Sequence, residues 1–234
     1  MNFAIIAAGE GSRLASEGIT TPKPLVTIMG ISLIDRLIDI FVRNGASSIS
    51  VIVNSENHPT ISHLENNRLN IPFHLVVKTT PGSMYSLHEL KPFLGNSDFC
   101  LTTVDTIFLE TEFSQYINMF KTGETLDGLM AVTDFIDDEK PLYVDTDQDM
   151  QIAGFCDQRP PYGQYISGGI YCLRSAVWDV LEDTMQNGMT RMRDFQRNLI
   201  SHGLNLKAYP FSKIIDIDHA ADIRTAENFL MNTQ

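Results

Sequence analysis

Two rhythms of apolar and polar positions take turns along this chain. Phe3–Ala8 is a continuous apolar run of strand length, predicting a first strand buried on both faces, and it leads directly into Gly9-Glu10-Gly11-Ser12. From Ser32 to Asn44 the apolar residues Leu33, Ile34, Leu37, Ile38 and Phe41 recur at helical spacing, with Gly45 as the stop. Ser48–Val53 then reads as a second strand, Pro59–Asn66 as a weak helix, Phe73–Val77 as a third strand, Ser83–Leu94 as a helix and Asp98–Val104 as a fourth strand. Beyond this point strands gather: Gly128–Thr133, a hairpin of Leu142–Asp145 and Gln151–Phe155 around Asp147-Gln148-Asp149, and Tyr165–Leu173. Helices follow at about Ser175–Met185 and Met192–His202, then Leu206–Tyr209 and Ile214–Asp218 as strands and a last helix from Ala220 to Met231. Strands alternating with helices predict a parallel sheet with crossover helices, an α/β architecture whose later strands form an antiparallel side wall.

Composition narrows what such a fold does. At 234 residues with 43% hydrophobic residues, one compact domain is the simplest expectation, and no repeat or interdomain linker interrupts it. The net charge of −12 makes nucleic acid and anionic membrane poor partners, so any phosphate must be met by locally placed cations and backbone N–H groups. Cys100, Cys156 and Cys172 are odd in number and lack metal spacing, which fits a reducing cytoplasm. No run approaches the length of a transmembrane helix, and the apolar N-terminus lacks a basic leader.

Two constellations carry chemistry. The first strand ends in Ala8-Gly9-Glu10-Gly11-Ser12-Arg13-Leu14, where two glycines permit unusual dihedrals and close backbone approach to an anion. Leu14 stands where the dinucleotide fingerprint needs a third glycine, and the Walker A Gly-Lys-Ser/Thr is absent. Arg13 follows the loop at once, and Lys23 sits between Pro22 and Pro24 on a stiff segment. Taken singly, these features also describe a tight turn with solvated cations. The second constellation is acidic. Asp105 ends an apolar strand at the carboxyl edge where open α/β sheets hold ligands. Asp216 and Asp218 alternate with Ile215 and Ile217, and period two places both acids on one strand face. Helix capping is the plainer alternative for Asp105 and Asp218.

The run Gly9-Glu10-Gly11-Ser12-Arg13-Leu14, then Pro22-Lys23-Pro24-Leu25-Val26, resembles the signature of the nucleotidyltransferase superfamily that makes nucleotide-activated sugars, the NDP-sugar pyrophosphorylase type. The resemblance implies a Rossmann-like three-layer α/β/α fold with a mixed, mostly parallel sheet of the GT-A-like type. It implies one catalytic domain over residues 1–234, with a nucleotide half at about 1–110 and an acceptor half at about 111–234. Ala8, Gly9, Gly11 and Ser12 would then hold base, ribose and phosphates, Arg13 the β- and γ-phosphates, and Lys23 the charge near the attacked α-phosphate. Asp105 with Asp216, and Asp218 beside them, would bind Mg²⁺. Gly82 and Ser83 resemble the step with which the family lines the base, a helix N-cap by Ser83 being the simpler alternative.

The acceptor wall is similar to the family's at Phe155-Cys156-Asp157-Gln158-Arg159-Pro160 and Ser167-Gly168-Gly169-Ile170-Tyr171, with substitutions at the sugar-reading positions. Arg159, Ser167 and Gly169 are the acceptor-binding candidates; an exposed arginine by a proline turn is the alternative for Arg159. Arg191, Arg193 and Arg197 are expected on the exposed face of an amphipathic helix. The expected partners are a nucleoside triphosphate and a small phosphorylated acceptor, and the reaction yields an NDP-sugar and pyrophosphate. A cytidylyltransferase acting on phosphocholine or a phosphonate, and a silent nucleotide-sugar-binding module, stay open beside it. Asp145-Thr146-Asp147 spells the glycosyltransferase Asp-x-Asp motif but falls at a hairpin turn. No hexapeptide repeats appear, so acetyltransferase activity is not expected; base, acceptor and oligomeric state, a homodimer among the options, stay open.

Overall fold

Strand β1 (Asn2–Ala7) shows how one run of apolar residues builds a layered molecule: Phe3, Ile5 and Ala7 enter one hydrophobic cluster, while Ala4 and Ile6 enter another on the opposite face. A strand covered on both sides needs no polar face, which is why the run is unbroken. The computed structural model describes residues 1–66, 69–137, 139–161 and 163–232. After β1 come α1 (Ser12–Ser16), a 3₁₀ turn at Lys23–Leu25, a small hairpin of β2 (Thr27–Ile28) and β3 (Ile31–Ser32), and α2 (Leu33–Arg43). The Ser32 hydroxyl caps α2 by accepting from the Asp35 N–H at 3.1 Å, and Leu33, Ile34, Leu37, Ile38, Ile40 and Phe41 bury one side of the helix. Then follow β4 (Ser48–Val53), α3 (His58–Glu65), β5 (Phe73–Val77), α4 (Ser83–Leu94) and β6 (Phe99–Thr103). β1 pairs parallel with β4 and β6, and β4 parallel with β5.

The second half consists of β7 (Thr106–Ile107), α5 (Glu110–Thr122), β8 (Gly128–Thr133), β9 (Tyr143–Thr146), β10 (Ile152–Cys156) and β11 (Tyr165–Leu173). It closes with α6 (Val177–Gln186), α7 (Met192–Ser201), β12 (Leu206–Pro210), β13 (Ile215–Asp216) and α8 (Ala220–Met231). The main sheet runs β10-β9-β11-β6-β1-β4-β5, with β8 pairing both β11 and β12. β11 lies antiparallel to β6, β8 and β9, so the expected antiparallel wall is joined to the parallel half within one mixed sheet. α2 and α5 pack on one face, against Phe3, Phe41, Phe113 and Tyr116; α4, α6 and α7 pack on the other, against Leu87, Phe99, Trp178 and Leu199. The result is the expected three-layer α/β/α architecture.

Three differences have physical causes. α5 is absent from the expected elements, although Phe113, Tyr116, Ile117 and Phe120 carry the helical spacing and all are buried. The expected strand Ile214–Asp218 shrinks to β13, which pairs with β7 apart from the main sheet and stops at Asp216. Ser83 is not a cap: the N-cap of α4 is Gly82, and no side chain bonds its first N–H groups.

Candidate active site

The loop between β1 and α1 is shaped by one glycine above the others. Gly11 has φ 63°, and a Cβ placed there would lie 3.1 Å from the Lys23 Cβ, so the lysine stem passes where any side chain would stand. The 3₁₀ turn from Lys23, set by Pro22 and Pro24, delivers that stem rigidly. The Lys23 Nζ then lies 2.5 Å from Asp105 Oδ2 and 2.7 Å from Asp218 Oδ1, with the lysine side chain only 10% exposed. Arg13 Nη1 lies 2.5 Å from the other Asp218 oxygen. Motif residues separated by about the whole length of the chain thus form one chain of charges, Arg13–Asp218–Lys23–Asp105. Burial by itself would lower the Lys23 pKa, but Asp105 and Asp218 outweigh it and hold the ammonium above its ordinary range. Burial would raise the Asp218 carboxyl, and Lys23 and Arg13 overcome that to hold it low. Neither Asp105 nor Asp218 caps a helix: Asp105 lies in the turn between β6 and β7, and the N-cap of α8 is His219.

These charges line a cleft of about 500 Å³ at the carboxyl end of β1 and β6. Ala8, Gly9, Gly11, Ser12, Gly82 and Ser83, the expected nucleotide-binding residues, all line it. So does a polar group that motif reading missed: Asn54, whose Oδ1 accepts from the Thr79 hydroxyl at 2.9 Å, and the Thr80–Ser86 hydroxyl pair at 2.7 Å. Only the packing of β4 and β5 against α4 brings them to the cleft. The uncapped N-terminus of α4 gives the rim a positive backbone end suited to an anion.

A second cavity of about 540 Å³ adjoins the first, sharing Pro81, Gly82, Ser83, Thr103 and Asp105. Ser167 and Gly169 line it as expected, together with Tyr171, Arg191, Arg193, Gln196 and Asp216. Gly169 has φ 73° and would bring a Cβ to 3.3 Å from the Thr103 Oγ1, so the wall approaches β6 closely only with glycine there. Gln196, itself buried, donates to the Ser167 hydroxyl at 3.1 Å. Burial pushes the Tyr171 phenol up to about 12, keeping it neutral.

Two expectations are corrected. Arg159 is exposed, donates from Nε to the Gly163 carbonyl at 2.8 Å and lines neither cavity, because its proline turn folds back on itself. Arg191 is exposed as expected, but it and the partly buried Arg193 also line the second cavity; the start of α7 is carried over the wall, and Arg193 is steadied by Asp157 at 2.7 Å. Arg197 is held on Asp157 and the Phe155 carbonyl, outside the cavity.

The acids partition between the cavities. Asp218 faces the first, Asp216 the second, and Asp105 both. β13 stops at Asp216, so Asp218 lies past the strand and follows the turn into α8. Asp216 pairs with Thr106, and the Ile217 N–H donates to the Asp105 carbonyl at 3.0 Å, so Asp216 on β13 lies beside Asp105 in the turn that leads into β7. The Asp105 Oδ1 is buried and has no hydrogen-bond partner, and hard carboxylate oxygens of this kind fit Mg²⁺. Among the described residues no three acidic, histidine or cysteine side chains are grouped to hold a metal, so Asp105, Asp216 and Asp218 are not gathered into the single ligand set expected of them.

Over 241 residues the chain is 25% identical to the bifunctional protein GlmU of Methanococcus maripaludis, covering 99% of this chain and 55% of that protein. The chain thus spans about half the length of the curated relatives of this kind. A 74-residue stretch is 36% identical to a 2-aminoethylphosphonate cytidylyltransferase of Lancefieldella rimae, covering 28% of this chain and 30% of that one. The fold matches that of the inositol-1-phosphate CTP transferase of T. maritima with a TM-score of 0.81 at 19% identity, over 99% of this chain and 94% of that one. The family model for nucleotidyl transferases matches residues 4–233, and the chain belongs to that family.

Proposed function

We propose that the protein transfers a nucleotidyl group from a nucleoside triphosphate to a sugar-1-phosphate, releasing pyrophosphate and an NDP-sugar, with Mg²⁺ as cofactor. The observation that carries this reading is the junction of the two cavities: a cleft of about 500 Å³ that holds Arg13 and Lys23 and a second cavity holding two arginines meet along a rim that includes Asp105. A nucleotide in the first and a phosphate monoester in the second would face each other across that rim, the arrangement an in-line displacement needs.

The residues divide the work. Backbone N–H groups of the glycine loop and of the α4 start meet phosphate oxygens, Arg13 turns from Asp218 toward the β- and γ-phosphates, and Lys23 balances charge growing at the α-phosphorus. Arg191 and Arg193 hold the acceptor's phosphate. A bound Mg²⁺, held by Asp105 together with Asp216 or Asp218, would act as a Lewis acid on the transferred phosphoryl group. A phosphate monoester is largely ionised at neutral pH, so no general base is required.

A second reading keeps the reaction and exchanges the acceptor for a phosphonate or another non-sugar phosphate. It is favoured by the second cavity, where Arg191 and Arg193 offer charged donors suited to phosphorus oxyanions. Pyrophosphate release with each nucleoside triphosphate against sugar-1-phosphates, 2-aminoethylphosphonate and phosphocholine, with Mg²⁺ or EDTA, separates the readings. Metal-dependent release with one pair, lost in Lys23→Ala, supports transfer and names both substrates. Silence across the panel with nucleotide binding intact would instead favour the binding module.

A further inference from the structure

One carboxylate in the gap between the two N-terminal motifs is tied to the far end of the chain. Glu17 closes α1, and its Oε2 accepts from the Ala220 N–H at 2.7 Å while its Oε1 lies 2.6 Å from the His219 Nδ1. α1 has only five residues and no side-chain N-cap, too short to hold a direction by itself. Its orientation therefore comes from what it touches. Leu14 anchors its underside in the core. The two polar anchors are Arg13 on Asp218 and Glu17 on the start of α8, one at each end of the turn. Substrate phosphates must draw Arg13 off Asp218, and at that moment Glu17 is the polar contact that still holds the turn in place. The α8 terminus is a firm support, because Asp222 already takes the N–H groups of Asp218 and His219 at 2.9 and 2.6 Å.

We propose that Glu17 is a positioning residue, fixing α1 against α8 so that Arg13 can exchange Asp218 for the triphosphate without the loop losing its shape. This rests on the nucleotidyl-transfer reading for its kinetic part only. The bond between Glu17 and Ala220 is a charge-assisted contact to a helix start, which sets the expected size of the effect.

Hydrogen exchange reads the clamp without substrate. In Glu17→Ala the amides of residues 12–19 should exchange roughly tenfold faster while those of β1 and β4 stay protected. In steady state the KM for the nucleoside triphosphate should rise about tenfold, with the acceptor KM unchanged, and Glu17→Gln, which can still accept from Ala220, should recover most of the loss. Unchanged exchange in residues 12–19 of Glu17→Ala overturns the proposal, and so does an equal rise of both KM values, the mark of a general loss of structure. If the wild-type protein turns over no substrate but the loop still loosens in the variant, the transfer reading fails and the clamp stands.

Discussion

Lys23 carries more of the site than any other side chain, because its ammonium joins two acids that reach it from opposite ends of the sequence. Removing it leaves Asp105 and Asp218 facing each other with only Arg13 nearby and takes away the cation proposed to meet the α-phosphate. Lys23→Ala is expected to lower kcat by about 10²–10³, measured by pyrophosphate release, the range seen when one preorganised electrostatic contact is lost. Gly11→Ala acts on the same point by another route: it places a side chain at φ 63° and against the Lys23 stem, and should cost about 1–2 kcal/mol in urea unfolding while weakening nucleotide binding. The Asp218 pairing also has a pH signature. Its pKa is lower in the folded chain than in the unfolded one, so its contribution is full above the ordinary carboxylate range near about 4 and disappears as pH falls through the depressed value. Unfolding measured from pH 7 to 2 should therefore lose stability less steeply below about pH 4 in Asp218→Asn than in the wild type. At this scale the sequence was most legible: Arg13, Lys23, Asp105 and the glycine loop all line the cleft they were assigned to.

Elements were legible wherever periodicity and a stop signal coincided, as at α2 with its Ser32 cap and Gly45. They were misjudged where pairing decides the end of a strand. Ile214–Asp218 alternates like a strand throughout, but β7 offers only two residues to pair with, so β13 ends at Asp216 and the two acids part. α5 is the converse, an amphipathic helix whose spacing was present but unread. Its buried Tyr116 links the backbones of β8 and β11: the hydroxyl donates to the Leu129 carbonyl at 2.6 Å and accepts from the Cys172 N–H at 2.7 Å. Tyr116→Phe leaves both groups unsatisfied in the interior and should cost about 2 kcal/mol, or roughly 4–8 °C in Tm, without changing nucleotide affinity.

In the molecule as a whole, a net charge of −12 surrounds a cleft proposed to take a polyanion, and that binding would depend on a few cations held in place by the fold. The two cavities draw those cations from different halves, Arg13 and Lys23 from the first and Arg191 and Arg193 from the second. Arg191→Ala is accordingly expected to raise the acceptor KM about tenfold and leave the nucleotide KM unchanged; a rise in both would mean that the arginine serves the shared rim. The amino-acid sequence by itself determined the layered α/β architecture, through apolar runs too continuous for any but doubly covered strands, and the shape of the glycine loop, through glycine and proline constraints that act within a few residues. Only the tertiary structure decided which arginines line the second cavity, where Asp216 and Asp218 separate, and that Glu17 meets the start of α8. Those outcomes depend on contacts between segments far apart in the chain, and local periodicity has no term for where a distant partner ends.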